Sequence, residues 1–296
     1  MKNIVKILAL TFLAFAAFRI FSEPAAAMES VNSKKVLTYL VVGLDDASEN
    51  TDVIMTVSYN SSNNSVQIIQ IPRDTYVSFK EYKGKINGLY PHTVFSGEGR
   101  EKAMCFLKEK VSLLLGISID GYIGVTHKGF VDFINLLGGV DIDASAGFDG
   151  LIDESQIKNS RIHLDGETAY RFVRYRKGYV RADLERMDAQ KIFIKAVFER
   201  LLQARDVASL ILEGAKSEGV FYDVNRPLSA SFFIQNLFRI RSAALDMKTL
   251  PGEARKESGV WYYFVDKSKS EALIESYFSK ERRVFDSENG FVIKKQ

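Results

Sequence analysis

The sequence predicts a fold of the α/β or α+β class. Short apolar runs typical of strands alternate along the chain with stretches of helical periodicity, and apolar residues make up 46% of the 296 residues. No internal repeat, low-complexity tract or Pro/Gly/Ser-rich linker interrupts the alternation. One domain over residues 35–278 is therefore more economical than two.

Three predicted strands open this domain. Val36–Val42 is a continuous apolar run with one Thr, which is typical of a strand buried on both faces. Two further β-rich runs, Val53–Tyr59 and Val66–Ile71, flank the Asn- and Ser-rich residues 60–65, which favour a turn. We expect the second and third strands to pair as a hairpin.

Helices and strands alternate after this hairpin. Apolar residues recur on one side of a predicted helix from Glu101 to Leu115, and Gly116 is suited to cap it. This apolar face, interpreted as core, consists of Met104, Leu107, Val111, Leu114 and Leu115. The next predicted elements are a strand (Ile119–Val125), a helix (Lys128–Leu137) and a short strand (Val140–Asp143).

The C-terminal half of the domain is less strongly patterned. Residues 144–163 are predicted to be loop, 166–172 helical and 173–176 extended. A long helix is expected from Asp183 to Leu202, with Asp183 as its N-cap. The charged residues 279–296 follow the domain and are expected to form a loose tail.

The composition excludes several classes of protein. With 40 Lys+Arg against 37 Asp+Glu, the formal net charge is +3, and no basic block provides a nucleic-acid footprint. A sequence-specific DNA-binding regulator is therefore disfavoured. Cys105 is the one cysteine, so an intrachain disulfide framework and a multi-cysteine metal site are excluded.

The N-terminus has the order of an export signal. Lys2 and Lys6 precede the apolar run Ile7–Phe18, and the small residues Ala25–Ala27 follow it. Residues 1–27 are either a signal peptide cleaved after Ala27 or a short membrane anchor, and an ordinary buried helix is the remaining alternative. The signal peptide and the membrane anchor both place the spacer 28–34 and the domain outside the cytoplasm.

Acidic residues cluster where the first strand ends and the second begins. These residues are Asp45, Asp46 and Asp52. Open α/β sheets place ligand sites at such strand ends, and Mg²⁺ is satisfied by one or two carboxylates with water and phosphate oxygens. The alternative is that these acids are solvated loop residues.

Arginines that could bind an anion lie in two places. Pro72 ends the third strand, so Arg73 is positioned to reach an anion at the same strand ends, although an Arg73–Asp74 surface pair is the simpler alternative. If residues 173–176 are extended, Arg174 and Arg176 share one face and form a pair that can hold two phosphate groups.

The predicted helix that follows carries three polar residues on one face. Asp183, Arg186 and Gln190 are spaced i, i+3 and i+7, with the first near the positive end of the helix dipole. This face suits an anion. A solvated helix face with internal ion pairs is the alternative.

An ordered set of motifs resembles the LytR-CpsA-Psr family over about residues 35–278. The set consists of Gly43-Leu44-Asp45, Thr51-Asp52, Ile71-Pro72-Arg73-Asp74, Leu137-Gly138-Gly139-Val140, Arg174-Tyr175-Arg176, Asp183, Arg186, Gln190, Leu250-Pro251-Gly252 and Val260-Trp261-Tyr262-Tyr263. The resemblance implies a three-layer α-β-α fold of the α/β class, with a mixed central sheet and helices on both faces.

The resemblance also implies a function. It implies an extracytoplasmic, Mg²⁺-dependent phosphotransferase that moves a glycopolymer from an undecaprenyl-pyrophosphate carrier in the cytoplasmic membrane to peptidoglycan. Asp45 and Asp52 match metal ligands, Arg73, Arg174, Arg176 and Arg186 match pyrophosphate ligands, and Asp183 and Gln190 match further polar site positions. Arginines and metal together would neutralise charge on the transferring phosphoryl group and the departing prenyl phosphate.

This chain departs from the family pattern at two positions. Asn50 and Ala189 stand where the family usually carries arginine, and Arg171 or Arg181 are the candidate substitutes. The departures leave two alternatives open, a non-catalytic binder of polyprenyl phosphates and a polyprenyl-pyrophosphate pyrophosphatase.

The lipid slot implied by the resemblance has two candidate linings. One is the helix with Phe106, Leu107 and Leu114, and the other is the helix with Phe130, Phe133 and Leu137. Ordinary core remains the alternative reading of each of these residues.

Overall fold

The computed structural model describes most of the predicted domain. The described residues are 36–45, 50–143, 157–158, 161–174, 190–197, 199–200, 210, 213–214, 216–224, 243–278, 283–286 and 290–293. The predicted export segment, 1–27, and the spacer 28–34 lie outside them. Within the described part of the chain, no helix combines the length and the apolar character needed to span a bilayer.

A mixed six-stranded sheet forms the centre of the fold. Its strands are β1 (Val36–Leu44), β2 (Thr51–Asn60), β3 (Ser65–Gln70), β6 (Gly121–Val125), β10 (Val220–Val224) and β11 (Ala244–Thr249). Their order is β10-β6-β1-β2-β3-β11, with β1–β2, β2–β3 and β6–β10 antiparallel and β1–β6 and β3–β11 parallel. The predicted hairpin of the second and third strands is confirmed.

Strand periodicity divides the core into two halves. Along β1, Leu37 and Tyr39 face one side of the sheet and Leu40 and Val42 face the other. Because both faces carry apolar side chains, both must be covered by other elements.

Helices cover both faces, which confirms the predicted three-layer α/β fold. One face is covered by α2 (Gly99–Leu115) and α5 (Lys267–Phe278), preceded in the chain by the short helix α1 (Leu89–Thr93). The other face is covered by α3 (His127–Leu136), α4 (Gly166–Arg174) and the helical residues 190–197. We call these the α2 face and the α3 face.

The predicted apolar face and glycine cap of the helix ending at Leu115 are confirmed, and the structure adds a cap at Thr126 that was not predicted. Met104, Leu107, Val111, Leu114 and Leu115 of α2 are all buried, and Gly116 ends the helix in the left-handed conformation (φ 63°). The Thr126 hydroxyl caps α3 by accepting a hydrogen bond from the backbone N–H of Gly129.

Smaller sheets complete the fold. β4 (Tyr76–Ser78) pairs with β5 (Lys83–Lys85), and β12 (Gly252–Glu257) pairs with β13 (Val260–Val265). A three-stranded sheet has the order β7-β9-β8, and its strands are β7 (Val140–Asp143), β8 (Ile157–Lys158) and β9 (Arg161–Leu164).

Three predictions of local structure are wrong. Residues 144–163 are not all loop, because β8 and the first residues of β9 lie among them, and Ile162 and Leu164 bury their side chains under the α3 face. Val173 and Arg174 are not extended, because α4 continues through Arg174. Residues after 279 are not all loose, since β14 (Arg283–Asp286) and β15 (Gly290–Ile293) form an antiparallel hairpin.

Candidate active site

Two aspartates meet at the edge of the sheet where β1 ends and β2 begins. Antiparallel pairing places Gly43 opposite Val53 and Leu44 opposite Thr51, with a register shift between the two pairs. The backbone N–H of Asp45 donates to the carbonyl of Asn50 at 2.9 Å, which closes the connection between the strands. Asp45 and Asp52 therefore project from adjacent strand ends, as the sequence predicted.

Arg73, which follows β3, lies beside the same strand ends. Ile71 still donates its N–H to the carbonyl of Ile54, and the chain then leaves the sheet at Pro72. Arg73 Nη1 lies 2.5 Å from Asp52 Oδ1, with both side chains less than one fifth exposed. Asp74 pairs with Lys85 instead, so the alternative of an Arg73–Asp74 surface pair does not hold.

Arg174 approaches the two aspartates from α4. The helix begins at Gly166, where the Asp165 carboxylate accepts a hydrogen bond from the N–H of Thr168. At the opposite end, Arg174 Nη2 lies 3.6 Å from Asp45 Oδ2 and 3.6 Å from Asp52 Oδ2. One guanidinium therefore bridges the two carboxylates.

The surroundings of Arg174 favour its charged form. Partial burial acts to lower the pKa of Arg174, but Tyr170, Asp45 and Asp52 outweigh it and the net shift of this pKa is upward. The cluster thus contains two carboxylates and two guanidiniums.

Gln190 connects this charged cluster to the interior. Its side chain is buried and donates to the backbone carbonyl of Val173 in α4 at 3.3 Å. It lines a crevice of about 10 Å³ together with Asp52 and Arg73. It also lines a large apolar cavity on the α3 face.

The apolar cavity lies between the sheet and the helices of the α3 face and has a volume of about 210 Å³. Phe130, Phe133 and Phe193 supply aromatic walls from the helices, and Val41 and Ile123 are among the strand residues that form its floor. Of the two predicted linings, Phe130 and Phe133 border this cavity, and Leu137 is buried in the same half of the core. Phe106, Leu107 and Leu114 belong to the α2 face.

Several predicted site residues lie outside the described residues. They are Asp46, Arg176, Arg181, Asp183, Arg186 and Ala189. Of the two candidate substitutes, Arg171 is described, and its guanidinium contacts the Thr168 hydroxyl at 3.4 Å on the exposed side of α4.

Sequence reasoning missed Gln70, the last residue of β3. Its side-chain amide is buried, and neither of its polar atoms has a hydrogen-bond partner among the described residues. It lines the same crevice as Asp52, Arg73 and Gln190. A glutamine at the end of an apolar strand, two residues before Pro72, was the available signal, because an unpaired buried amide is costly in a core.

The donor set at the cluster fits a hard divalent cation. Two carboxylate oxygens converge on one positively charged group, which is the arrangement a cation needs. Among the described residues there is no cluster of three or more His, Cys, Asp or Glu side chains able to hold a metal. Two carboxylates suffice for Mg²⁺, which retains water and substrate oxygens as its other ligands.

Comparison with known proteins identifies the family. The model of the LytR-CpsA-Psr family matches residues 19–278. The chain belongs to the LytR-CpsA-Psr family. The resemblance seen in the sequence motifs is therefore confirmed.

Curated relatives and a solved structure agree with this membership. The polyisoprenyl-teichoic acid–peptidoglycan teichoic acid transferase TagU of Bacillus anthracis is 29% identical over 83% of this chain and 79% of its own length. TagV of Bacillus subtilis, which has the same transferase name, is 31% identical over 74% of this chain and 57% of its own length. Protein gbs0355 of Streptococcus agalactiae shares the fold of this chain, with a TM-score of 0.69, 20% identity and coverage of 92% of this chain and 96% of that chain.

Proposed function

We propose that this protein is a phosphotransferase that moves a glycopolymer from a polyprenyl-pyrophosphate carrier to peptidoglycan. The observation that carries the proposal is the junction at Gln190, where a cluster of two aspartates and two arginines meets an apolar cavity. A ligand that joins a pyrophosphate to a long hydrocarbon has the matching chemistry. The transferase names of the TagU and TagV relatives support the choice of donor and acceptor.

The apolar cavity would hold the part of the prenyl chain nearest the pyrophosphate. Among the described residues, its lining consists of glycines and of aliphatic and aromatic side chains, with Gln190 as the polar exception at the charged end. Burying each methylene of the prenyl chain would contribute about 0.8 kcal/mol. The cavity therefore selects for a lipid carrier over a soluble sugar nucleotide.

Arg73 and Arg174 would hold the pyrophosphate. In the transfer step, an acceptor hydroxyl oxygen bonds to the phosphorus attached to the glycopolymer, and the bond from this phosphorus to the bridging oxygen breaks. Prenyl phosphate leaves with the bond's electron pair, and the proton of the acceptor hydroxyl passes to water. Guanidiniums that are already in position stabilise the charge that develops on the departing phosphate. Arg176 and Arg186 remain proposed pyrophosphate ligands, and Asp183 remains a proposed polar site residue.

Asp45 and Asp52 would hold Mg²⁺, which supplies additional charge neutralisation at the phosphate oxygens when it is bound. Arg174 Nη2 lies 3.6 Å from Asp45 Oδ2 and 3.6 Å from Asp52 Oδ2, so the two carboxylates already converge on one point. Arg73 pairs with the other oxygen of Asp52, and this contact keeps the carboxylate oriented.

The proposed substrates place the reaction outside the cytoplasm, at the outer surface of the cytoplasmic membrane. The predicted export signal or anchor in residues 1–27 supports this location. A carrier lipid in the membrane and a wall acceptor are both accessible from there.

The function is tested by following transfer from a polyprenyl-pyrophosphate-linked glycopolymer to peptidoglycan in the presence of Mg²⁺. Arg73→Ala and Arg174→Ala should each reduce turnover by about 100-fold or more, because each removes a charge aimed at the reacting phosphates. Arg255→Ala, a matched loss of an exposed arginine on β12, should leave turnover unchanged.

The same assay separates the alternatives. Release of free glycopolymer phosphate with water as acceptor would indicate a pyrophosphatase. Donor that binds to the wild-type protein without any turnover would indicate a carrier-binding protein, and would connect that loss to Asn50 and Ala189.

A further inference from the structure

Tyr170 contacts Arg174 in two ways. The two residues lie one helical turn apart on α4, so their side chains are neighbours on the helix surface. Arg174 Nη1 donates a hydrogen bond to the Tyr170 hydroxyl at 2.5 Å. The Arg174 guanidinium carbon also lies 5.1 Å from the centre of the Tyr170 ring, within cation–π range.

The Tyr170 ring is itself held by α3. The His127 ring stacks on it with centroids 3.8 Å apart and planes 18° from parallel. His127 Nε2 in turn lies 3.3 Å from Glu167 Oε2 of α4. His127 in the first turn of α3, itself in contact with Glu167 of α4, therefore packs against the Tyr170 ring.

Tyr170 also stands where the apolar and charged parts of the site meet. Its ring lies 5.8 Å from Phe130, which lines the cavity, and Phe130 lies 5.4 Å from Phe193 on the opposite helical wall. On its other side are Arg174 and, through Arg174, the carboxylates of Asp45 and Asp52.

Arg174 needs such a restraint because it comes from the last residue of a helix and its side chain is 40% exposed. A free arginine side chain has many rotamers, and fixing it for each substrate reduces the benefit of the contact. Arg73 differs, since its side chain is 18% exposed and held by Asp52 in the rim of the sheet.

We propose that Tyr170 is a positioning residue that holds the Arg174 guanidinium at the mouth of the apolar cavity. The inference rests on the proposed function, in which Arg174 contacts the pyrophosphate. Tyr170 supplies a hydroxyl acceptor and a ring face, and His127 keeps that ring in place. Tyr170 acts on the substrate through Arg174.

The test compares Tyr170→Phe, which keeps the ring and loses the hydroxyl, with Tyr170→Leu, which loses both contacts. Tyr170→Phe should lower kcat/KM for the polyprenyl-pyrophosphate donor about 5-fold and Tyr170→Leu about 50-fold, with the unfolding midpoint of Tyr170→Phe unchanged. Tyr82→Phe is the matched control, because it loses a hydroxyl bond to the carbonyl of Lys85 on the α2 face. Its kcat/KM should equal that of the wild type.

Coupling to Arg174 is measured with a double-mutant cycle. If Tyr170 acts through Arg174, Tyr170→Phe should have no further effect on kcat/KM in an Arg174→Ala background, which removes the donor and the charge. An equal loss in both backgrounds, or wild-type kcat/KM in Tyr170→Leu, would overturn the inference.

A second readout does not depend on activity. Exchange of the Arg174 Nε proton with water, followed by NMR in the unliganded protein, should accelerate in Tyr170→Leu, while that of Arg255 stays constant. Unchanged exchange at Arg174 would contradict the positioning role. The proposed function fails separately, through absence of transfer in the wild-type protein.

Discussion

The two faces of the central sheet are covered by helices and built from similar residues, yet they differ in how completely they are filled. On the α2 face, Met104, Leu107 and Val111 are fully buried against the sheet. On the α3 face, Phe130, Phe133 and Phe193 surround a cavity of about 210 Å³. An apolar pattern therefore marks a buried face without saying whether that face is core or ligand site.

The charged cluster accompanies the cavity and not the filled core. Gln190 and Val53 line both the crevice beside Asp52 and the apolar cavity. We therefore propose that the α3 face binds the ligand, and we expect the α2 face to contribute mainly to stability.

The largest expected effect is on stability, at the α2 face. Leu107→Ala should lower the free energy of unfolding by about 2–5 kcal/mol, because it removes a fully buried side chain. Ile194→Ala, which borders the cavity, should cost less than about 2 kcal/mol, because its side chain already has empty space on one side. Urea unfolding measures the free energy of unfolding of each variant. Equal losses would show that the two faces are filled equally well.

The next effect is on donor binding. Val41→Phe fills part of the cavity and should weaken binding of the polyprenyl donor about 10-fold or more, with a change below about 1 kcal/mol in the free energy of unfolding. Val111→Phe makes the same change in the filled core and should cost about 1–3 kcal/mol of stability. The donor affinity of Val111→Phe should equal that of the wild type. Weaker donor binding in Val111→Phe with unchanged binding in Val41→Phe would assign the lipid slot to the α2 face.

The smallest effect concerns the caps of the covering helices. The Asp165 carboxylate accepts a hydrogen bond from the N–H of Thr168 at the start of α4, and this bond lowers the pKa of Asp165 below its ordinary value of 3.8. A depressed carboxyl pKa stabilises the fold above the ordinary value, and the contribution disappears as pH falls through the lower folded value. Asp165→Ala should therefore cost about 1 kcal/mol at neutral pH and progressively less in acid.

Asp165→Asn is the control for this cap, because it retains a capping oxygen that does not titrate. Its stability relative to the wild type should rise as the pH falls below 3.8. Helix α2 has no side-chain cap at Glu98, so Glu98→Ala should show no comparable loss of a cap. Thermal unfolding at several pH values compares the three variants.

Most of the sheet could be predicted from local sequence. β1, β2 and β3 lie within two residues of their predicted bounds, because long β-branched runs separated by a turn leave few alternatives. Helices α2 and α3 were found from their apolar spacing and glycine ends. Asp45, Asp52 and Arg73 followed from the strand ends, and the structure brings these three side chains together.

What the sequence missed depends on tertiary contacts. β9 was read as loop because its alternation covers only four residues, and its strand character comes from pairing with β7. Residues 173–176 are predicted to be extended, but burial of Phe172 and Val173 under the α3 face continues the helix through Arg174. Gln70 takes part through the crevice that it shares with Gln190, and Tyr170 is held by His127 of α3, so the role of each depends on contacts with residues distant in sequence.

The most direct test of the account is a crystal structure of the protein with a polyprenyl-pyrophosphate donor and Mg²⁺. The account predicts prenyl carbons in the cavity against Phe130 and Phe133, with pyrophosphate oxygens within hydrogen-bonding distance of Arg73 and Arg174. A lipid bound on the α2 face, or a pyrophosphate bound away from both arginines, would contradict it.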